Sequence, residues 1–251
     1  MSRTIAPKGV MVHSTGADNP NLKRYVGPDD GLLGQNQYAN HWNRPMDRQV
    51  CAHAFIGKLA DGSIATYQTL PWNHRGWHCG SGPNGSGNDS YISFEICEDG
   101  LTNATYFRSV FNEAVALCVY LCAMYGLDPM QDGVILGHHE GYQCGIASNH
   151  GDPRHWFSKF GESMDSFRAA VQKGLAMEPS EPGAFAPDSE PAPATPDASE
   201  YEVYTVVKGD TLWRIAVNML GSGARHTDII ALNGLASDAI QAGQKLRVPR
   251  R

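Results

Sequence analysis

No stretch of this chain approaches the roughly 18 consecutive apolar residues of a membrane-spanning helix, so a membrane is not an expected partner. The opening Met1-Ser-Arg-Thr-Ile-Ala-Pro-Lys-Gly has no apolar core of a secretory leader. The expectation is a protein made in the cytoplasm without a signal peptide. No Cys-x-x-Cys pair occurs among the six cysteines, and without export they read as reduced, structural thiols. Cys118 and Cys122 stand four apart on an apolar helical stripe, where small buried thiols are common. Charge is sparse as well, at 18% of residues and a net −6, which does not support nucleic-acid binding.

What charge there is divides unevenly. Residues 176–201 hold six acids and no base, whereas residues 202–251 hold seven bases against four acids, or +3. Six prolines fall between 177 and 199, among Ala, Ser, Asp and Glu, a composition that cannot bury enough apolar surface to offset its ordering entropy. The 251 residues therefore read as a domain at 1–175, a Pro/Ala/acidic linker at 176–201 and a small module at 202–251.

In the first domain, Val10–Val12, Val50–Ile56, Ile64–Leu70, Tyr91–Cys97 and Val134–Leu136 read as strands. Apolar positions from Phe107 to Cys122 follow the helical period, with Gly126 placed to cap that helix. A second helix is expected over about Ser163 to Leu175. Strands interleaved with helices predict an α/β fold, a mixed central sheet with flanking helices.

Two of the apolar runs end in an imidazole, His13 and His138, and a carboxylate, Asp152, follows in His150-Gly-Asp152-Pro153. Two histidines and a carboxylate that converge would offer one divalent metal three ligands and leave a fourth position open, the arrangement zinc catalysis needs. Each histidine alone reads equally well as a hydrogen-bonded core residue. His139 follows His138 directly and on a strand would point the other way, so only one of the pair can be a ligand; spacing does not say which. Glu95 lies mid-strand on the face opposite Ile92, Phe94 and Ile96, either solvated or a general base of raised pKa.

Val12-His13-Ser14-Thr15-Gly16, Trp77-His78-Cys79-Gly80, Ile92-Ser-Phe-Glu95-Ile96 and His138-His-Glu140 together resemble the zinc-dependent N-acetylmuramoyl-L-alanine amidases of the type-2 class. That class shares its fold with the peptidoglycan recognition proteins. The run from Glu140 to Trp156 looks like a subgroup found in endolysins of phages of Gram-positive, clostridia-like hosts. The resemblance spans roughly residues 8–160. It implies Zn²⁺ held by His13, His138 and Asp152, with His138 rather than His139 as the second ligand. It further implies Glu95 as base, and His150 in place of the usual lysine that faces developing negative charge. Trp77, His78 and Asn149 are implied to bind substrate, although Trp77 reads equally as core. Some members carry a catalytic Tyr just before the position of His53; here that residue is Ala52. The implied reaction is hydrolysis of the amide between N-acetylmuramic acid and L-alanine.

The C-terminal segment opens with a β-branched run, a Gly209-Asp210 turn and Thr211-Leu212 before a helical pattern. It continues to Ile229–Leu235 and returns as a strand near Leu246–Val248. This β-α-α-β order resembles a LysM domain, which implies binding of N-acetylglucosamine-containing glycan around Gly209, Asp210, Thr211 and Leu212. The expected partner is thus bacterial peptidoglycan. A wall hydrolase with a wall anchor and no leader reads as a phage endolysin released through a holin. A bacterial autolysin, or a non-catalytic peptidoglycan receptor, is the alternative.

Overall fold

The computed structural model describes residues 4–42, 44, 50–177, 201–207, 210, 212–220, 225–235, 240, 241 and 243–250. They fall into two compact units, Met1–Leu175 and Ala176–Arg251. In the first, β1 (Gly9–Ser14), β2 (Ala54–Lys58), β3 (Ile64–Gln68), β4 (Tyr91–Ile96) and β5 (Ile135–Gly137) form one sheet in the order β3-β2-β4-β1-β5. β1 is parallel to β4 and β5, β2 is parallel to β4, and β3 lies antiparallel on the edge. The sheet is mixed, as its sequence pattern predicts. β2 starts later than Val50 because Cys51 leaves the sheet to exchange backbone hydrogen bonds with Trp77, 3.0 Å each way.

Strand alternation sorts side chains onto two faces. Val10, Val12, Ile56 and Phe94, all 0% exposed, line one face. There α1 (Ala104–Tyr125) packs, and Thr66 Oγ1 of β3 donates to Glu113 Oε1 of the helix at 2.8 Å. α1 forms because its apolar residues recur at helical spacing and both ends are closed. The Asn103 side chain accepts from Tyr106 N–H, and Gly126, at φ 62, donates its N–H to Cys122 O. By length and composition α1 could cross a membrane; here most of its apolar side is in the core. Each large side chain so buried contributes about 1.5–3 kcal/mol.

The opposite face carries Met11, His13, Phe55, Ser93 and Glu95, and it is here that the site forms. Residues 138–177 supply α2 (His138–Gln143), α3 (Arg154–Phe157) and α4 (Met164–Met177). Trp156 and Phe157 of α3 lock onto α1, with ring centroids 5.4 Å apart for Phe107–Trp156 and 5.3 Å for Phe111–Phe157. That anchor fixes the chain immediately after Asp152. The strand expectation at His138 needs one correction. The strand stops at Gly137, and His138 and His139 both enter the first turn of α2, so strand alternation does not separate them.

In the second unit β6 (Tyr201–Thr205) pairs antiparallel with β7 (Lys245–Pro249), with α5 (Leu212–Leu220) and α6 (His226–Asn233) between them in sequence. Leu212, Ile215, Ala216, Ile229, Leu246 and Val248 form its core. Asn233 ties helix to strand, donating to Arg247 O at 2.6 Å and accepting from Arg247 N at 2.7 Å.

Candidate metal centre and active site

The β1–β4 register sets His13 beside Glu95, and β5, paired to the other side of β1, delivers His138 one residue past its end. This is the carboxyl end of the parallel strands, where ligands of open α/β sheets gather. Asp152 comes in from the loop before α3. His13 Nδ1 stands 3.0 Å from His138 Nδ1 and 3.1 Å from Asp152 Oδ2, while His138 Nδ1 is 3.4 Å from Asp152 Oδ1. One ligand atom from each of the three lies within 4.8 Å of the others. Donors about 2.0–2.1 Å from a tetrahedral centre stand about 3.3 Å from one another, so the spacing and the N, N, O donor set fit a zinc-sized cation. Burial lowers the His13 pKa against the pull of Asp152, which keeps the ring a neutral lone-pair donor. Asp152 is pushed up by burial, but its contacts with the His13 and His138 rings outweigh this and hold it well below the usual carboxylate range.

Around the triad opens a cleft of ≈ 1010 Å³ lined by Glu95, Trp77, Cys51 and His150, among others. Glu95 Oε2 is buried in it with no hydrogen-bond partner. Burial first, then the charges of Asp152 and Glu98, pushes this carboxyl up to about 8. His150 is exposed, with Nδ1 3.1 Å from Ser148 Oγ and its ring 4.6 Å from that of His138. Ser148 Oγ also donates to Cys79 O at 3.1 Å and stands 3.4 Å from His138 Nε2. Nothing in the sequence marked this serine, because a lone Ser in a Gly/Ser/Asn-rich loop carries no signal of its neighbours.

Trp77 is not core: it is 48% exposed on the rim, with the Arg75 guanidinium 5.2 Å from its ring centroid and Arg75 Nε held by Asp89 Oδ1 at 2.7 Å. His78 lines the cleft too, but through its ring rather than its nitrogens. Its Nδ1 is 3.0 Å from His13 Nε2, and its Nε2 is buried, so neither nitrogen is presented to substrate. Asn149 lies outside the main cleft, in an adjoining hollow of ≈ 310 Å³ that shares His150. His53 is a structural imidazole: it accepts from Ser93 N at 3.0 Å and donates to His74 O at 2.7 Å, and burial lowers its pKa to about 4.

Comparison with known proteins gives this geometry its context. Residues 3–155 match the family described as N-acetylmuramoyl-L-alanine amidase, and residues 204–249 match the LysM domain. The chain belongs to that amidase family. Within it, the chain is 61% identical over 69 residues to the N-acetylmuramoyl-L-alanine amidase XlyA of Bacillus subtilis (strain 168), a stretch that is 24% of this chain and 23% of that one. It is 54% identical over 33 residues to the amidase CwlH of the same organism, 13% of each chain. The matched stretches thus span less than a quarter of either relative. In fold, the chain is similar to the Staphylococcus aureus hydrolase AmiA, solved in complex with its ligand. The TM-score is 0.52 at 20% identity over 70% of this chain and 79% of that one.

The LysM unit departs from the residues expected to touch glycan. Leu212 is 0% exposed and belongs to the core, because the first turn of α5 points it inward between the two strands and α6. The Asp210 carboxylate is engaged within the unit, accepting from Tyr204 Oη and from Val207 N, both at 2.8 Å. Gly209 and Thr211 lie outside the described residues, as does most of the expected linker.

Proposed function

We propose that the first unit hydrolyses the amide joining the lactyl group of N-acetylmuramic acid to L-alanine in peptidoglycan, with Zn²⁺ held by His13, His138 and Asp152. The observation that carries this reading is the convergence of those three donors beside a carboxylate with one buried, unpartnered oxygen in an open cleft, within a family of that description. Zinc in such a site supplies Lewis-acid polarisation of a carbonyl and lowers the pKa of water. The residues of the chain supply the rest. Glu95 accepts the proton of the attacking water at a carboxylate whose proton affinity burial has raised, then delivers it to the departing amine of L-alanine. His150, exposed at the cleft wall, faces the carbonyl oxygen as it gains charge. The exposed face of Trp77 offers a platform for a sugar ring or peptide plane at the rim. The LysM unit would hold the chain on glycan.

Digestion of purified peptidoglycan, with mass analysis of the products before and after chelation, tests the bond and the metal together. Free L-alanine amino termini that disappear with chelator and return with zinc are expected. Glu95→Ala should keep its zinc and lose at least about 10²-fold in turnover, within the usual range for a lost acid–base group. Release of reducing sugars in place of amino termini, or near-normal turnover by Glu95→Ala, would overturn the assignment.

A further inference from the structure

His78 lines the cleft beside the metal centre, yet its Nδ1 is turned to His13 and its Nε2 is buried, a placement that substrate binding does not explain. Resting on the zinc reading above, we infer that His78 is the positioning residue that fixes the tautomer of His13 and so turns His13 Nδ1 to the metal.

A neutral imidazole carries one N–H and one lone pair. His13 Nδ1 faces His138 Nδ1 and Asp152 Oδ2, so the lone pair that meets a cation is on Nδ1 and the proton belongs on Nε2. His13 is 1% exposed, and a buried N–H without an acceptor is costly. At 3.0 Å from His13 Nε2 stands His78 Nδ1, which must then accept, placing its own proton on the buried Nε2, where the Tyr91 backbone is the acceptor at hand. Metal-bound histidines commonly give their other N–H to a carboxylate or carbonyl; here the acceptor is a second imidazole. Being neutral, it adds no negative charge behind His13, where a carboxylate acceptor would have added one.

The acceptor is itself held still. His78 N and Cys79 N both donate to Asn88 Oδ1, at 2.7 and 3.2 Å, and Asn88 Nδ2 donates to Gly80 O at 3.0 Å. Asn88 is 0% exposed, so the turn that carries His78 is pinned from within. A flip of the His13 ring about Cβ–Cγ would break the bond to His78 and set Cδ2–H where Nδ1 meets the cation.

Zinc affinity of the full chain, measured by competition with a chromophoric chelator, tests this apart from activity. His78→Phe keeps the ring and removes the acceptor; His78→Asn restores an acceptor oxygen. A loss of about 10–100-fold in affinity for His78→Phe is expected, with recovery of most of it in His78→Asn. Long-range ¹H–¹⁵N correlation spectra of the zinc-loaded wild type should show His13 protonated at Nε2 and bound through Nδ1, a readout that needs no variant to fold. Undiminished zinc affinity in a folded His78→Phe, or His13 bound through Nε2, would overturn the inference while leaving the zinc reading intact. Failure of the wild type to take up zinc would instead sink that reading.

Discussion

At pH 7 a carboxyl that titrates at about 8 is mostly protonated, and Glu95 is such a group when the cleft holds no cation. The fold therefore favours its neutral form. An unfolded chain would release that proton near 4.5, so the folded state binds one more proton between about 4.5 and 8, and stability falls as pH rises across this window. The metal-free wild type should lose stability relative to Glu95→Gln from pH 5 to pH 8.5, by up to a few kcal/mol at about 1.4 kcal/mol per pH unit. Thermal or urea unfolding of both proteins in chelator measures it, and a difference that ignores pH would show that Glu95 is not desolvated. The position of Glu95 was legible in the sequence because strand alternation sets it opposite Ile92, Phe94 and Ile96. Its environment was not, since Phe55, its partner in the β2–β4 register, and Asp152, whose charge adds to the shift, are distant in sequence. The same holds for His78, whose motif was visible while its partner, 65 residues away, was not.

The element that delivers His138 is short and depends on a clamp. Gly137 has no side chain to cap α2, but its N–H donates to Glu140 Oε2 at 2.9 Å, half of a capping box. Arg168 of α4 then grips both oxygens of Glu140, at 3.0 Å each, and reaches Ile135 O of β5 at 2.8 Å. Strand end, helix start and α4 meet in one guanidinium. Both partners are mostly sheltered, and a forked, charge-assisted pair of this kind contributes about 1–3 kcal/mol. Arg168→Ala should lower unfolding free energy by that amount, and Arg168→Lys should recover only part because an ammonium cannot fork. Equal stability of all three in urea titrations would show the clamp to be incidental. Apolar runs revealed β1, β4 and β5, and a 3.6 period with an Asn/Gly frame revealed α1. The turn to helix at His138 escaped because a glycine N-cap leaves no side-chain signature, and its support comes from Arg168, 28 residues beyond Glu140.

For the molecule as a whole, the two compact units separate near Leu175, where composition shifts from an apolar helix to an acidic, proline-rich stretch. That shift is why the division could be read without coordinates. The function of the second unit was harder to read at the residue level: Leu212 looked available for glycan and proves to be core, because in so small a unit it packs with Ile215, Ala216, Leu246 and Val248. So small a core suits a module that tethers rather than one that binds tightly. Tethering acts by effective concentration, which matters only when the substrate is an insoluble polymer that both units can reach at once. Deleting residues 177–251 should therefore slow solubilisation of intact walls by about 10-fold or more while leaving cleavage of a soluble muropeptide within about 2-fold. Turbidity loss of walls and product release from the soluble fragment, measured with the same two proteins, separate the cases. Parallel losses on both substrates would mean that the LysM unit supports the fold or the cleft of its neighbour, because a tether has no grip on a substrate that lacks glycan.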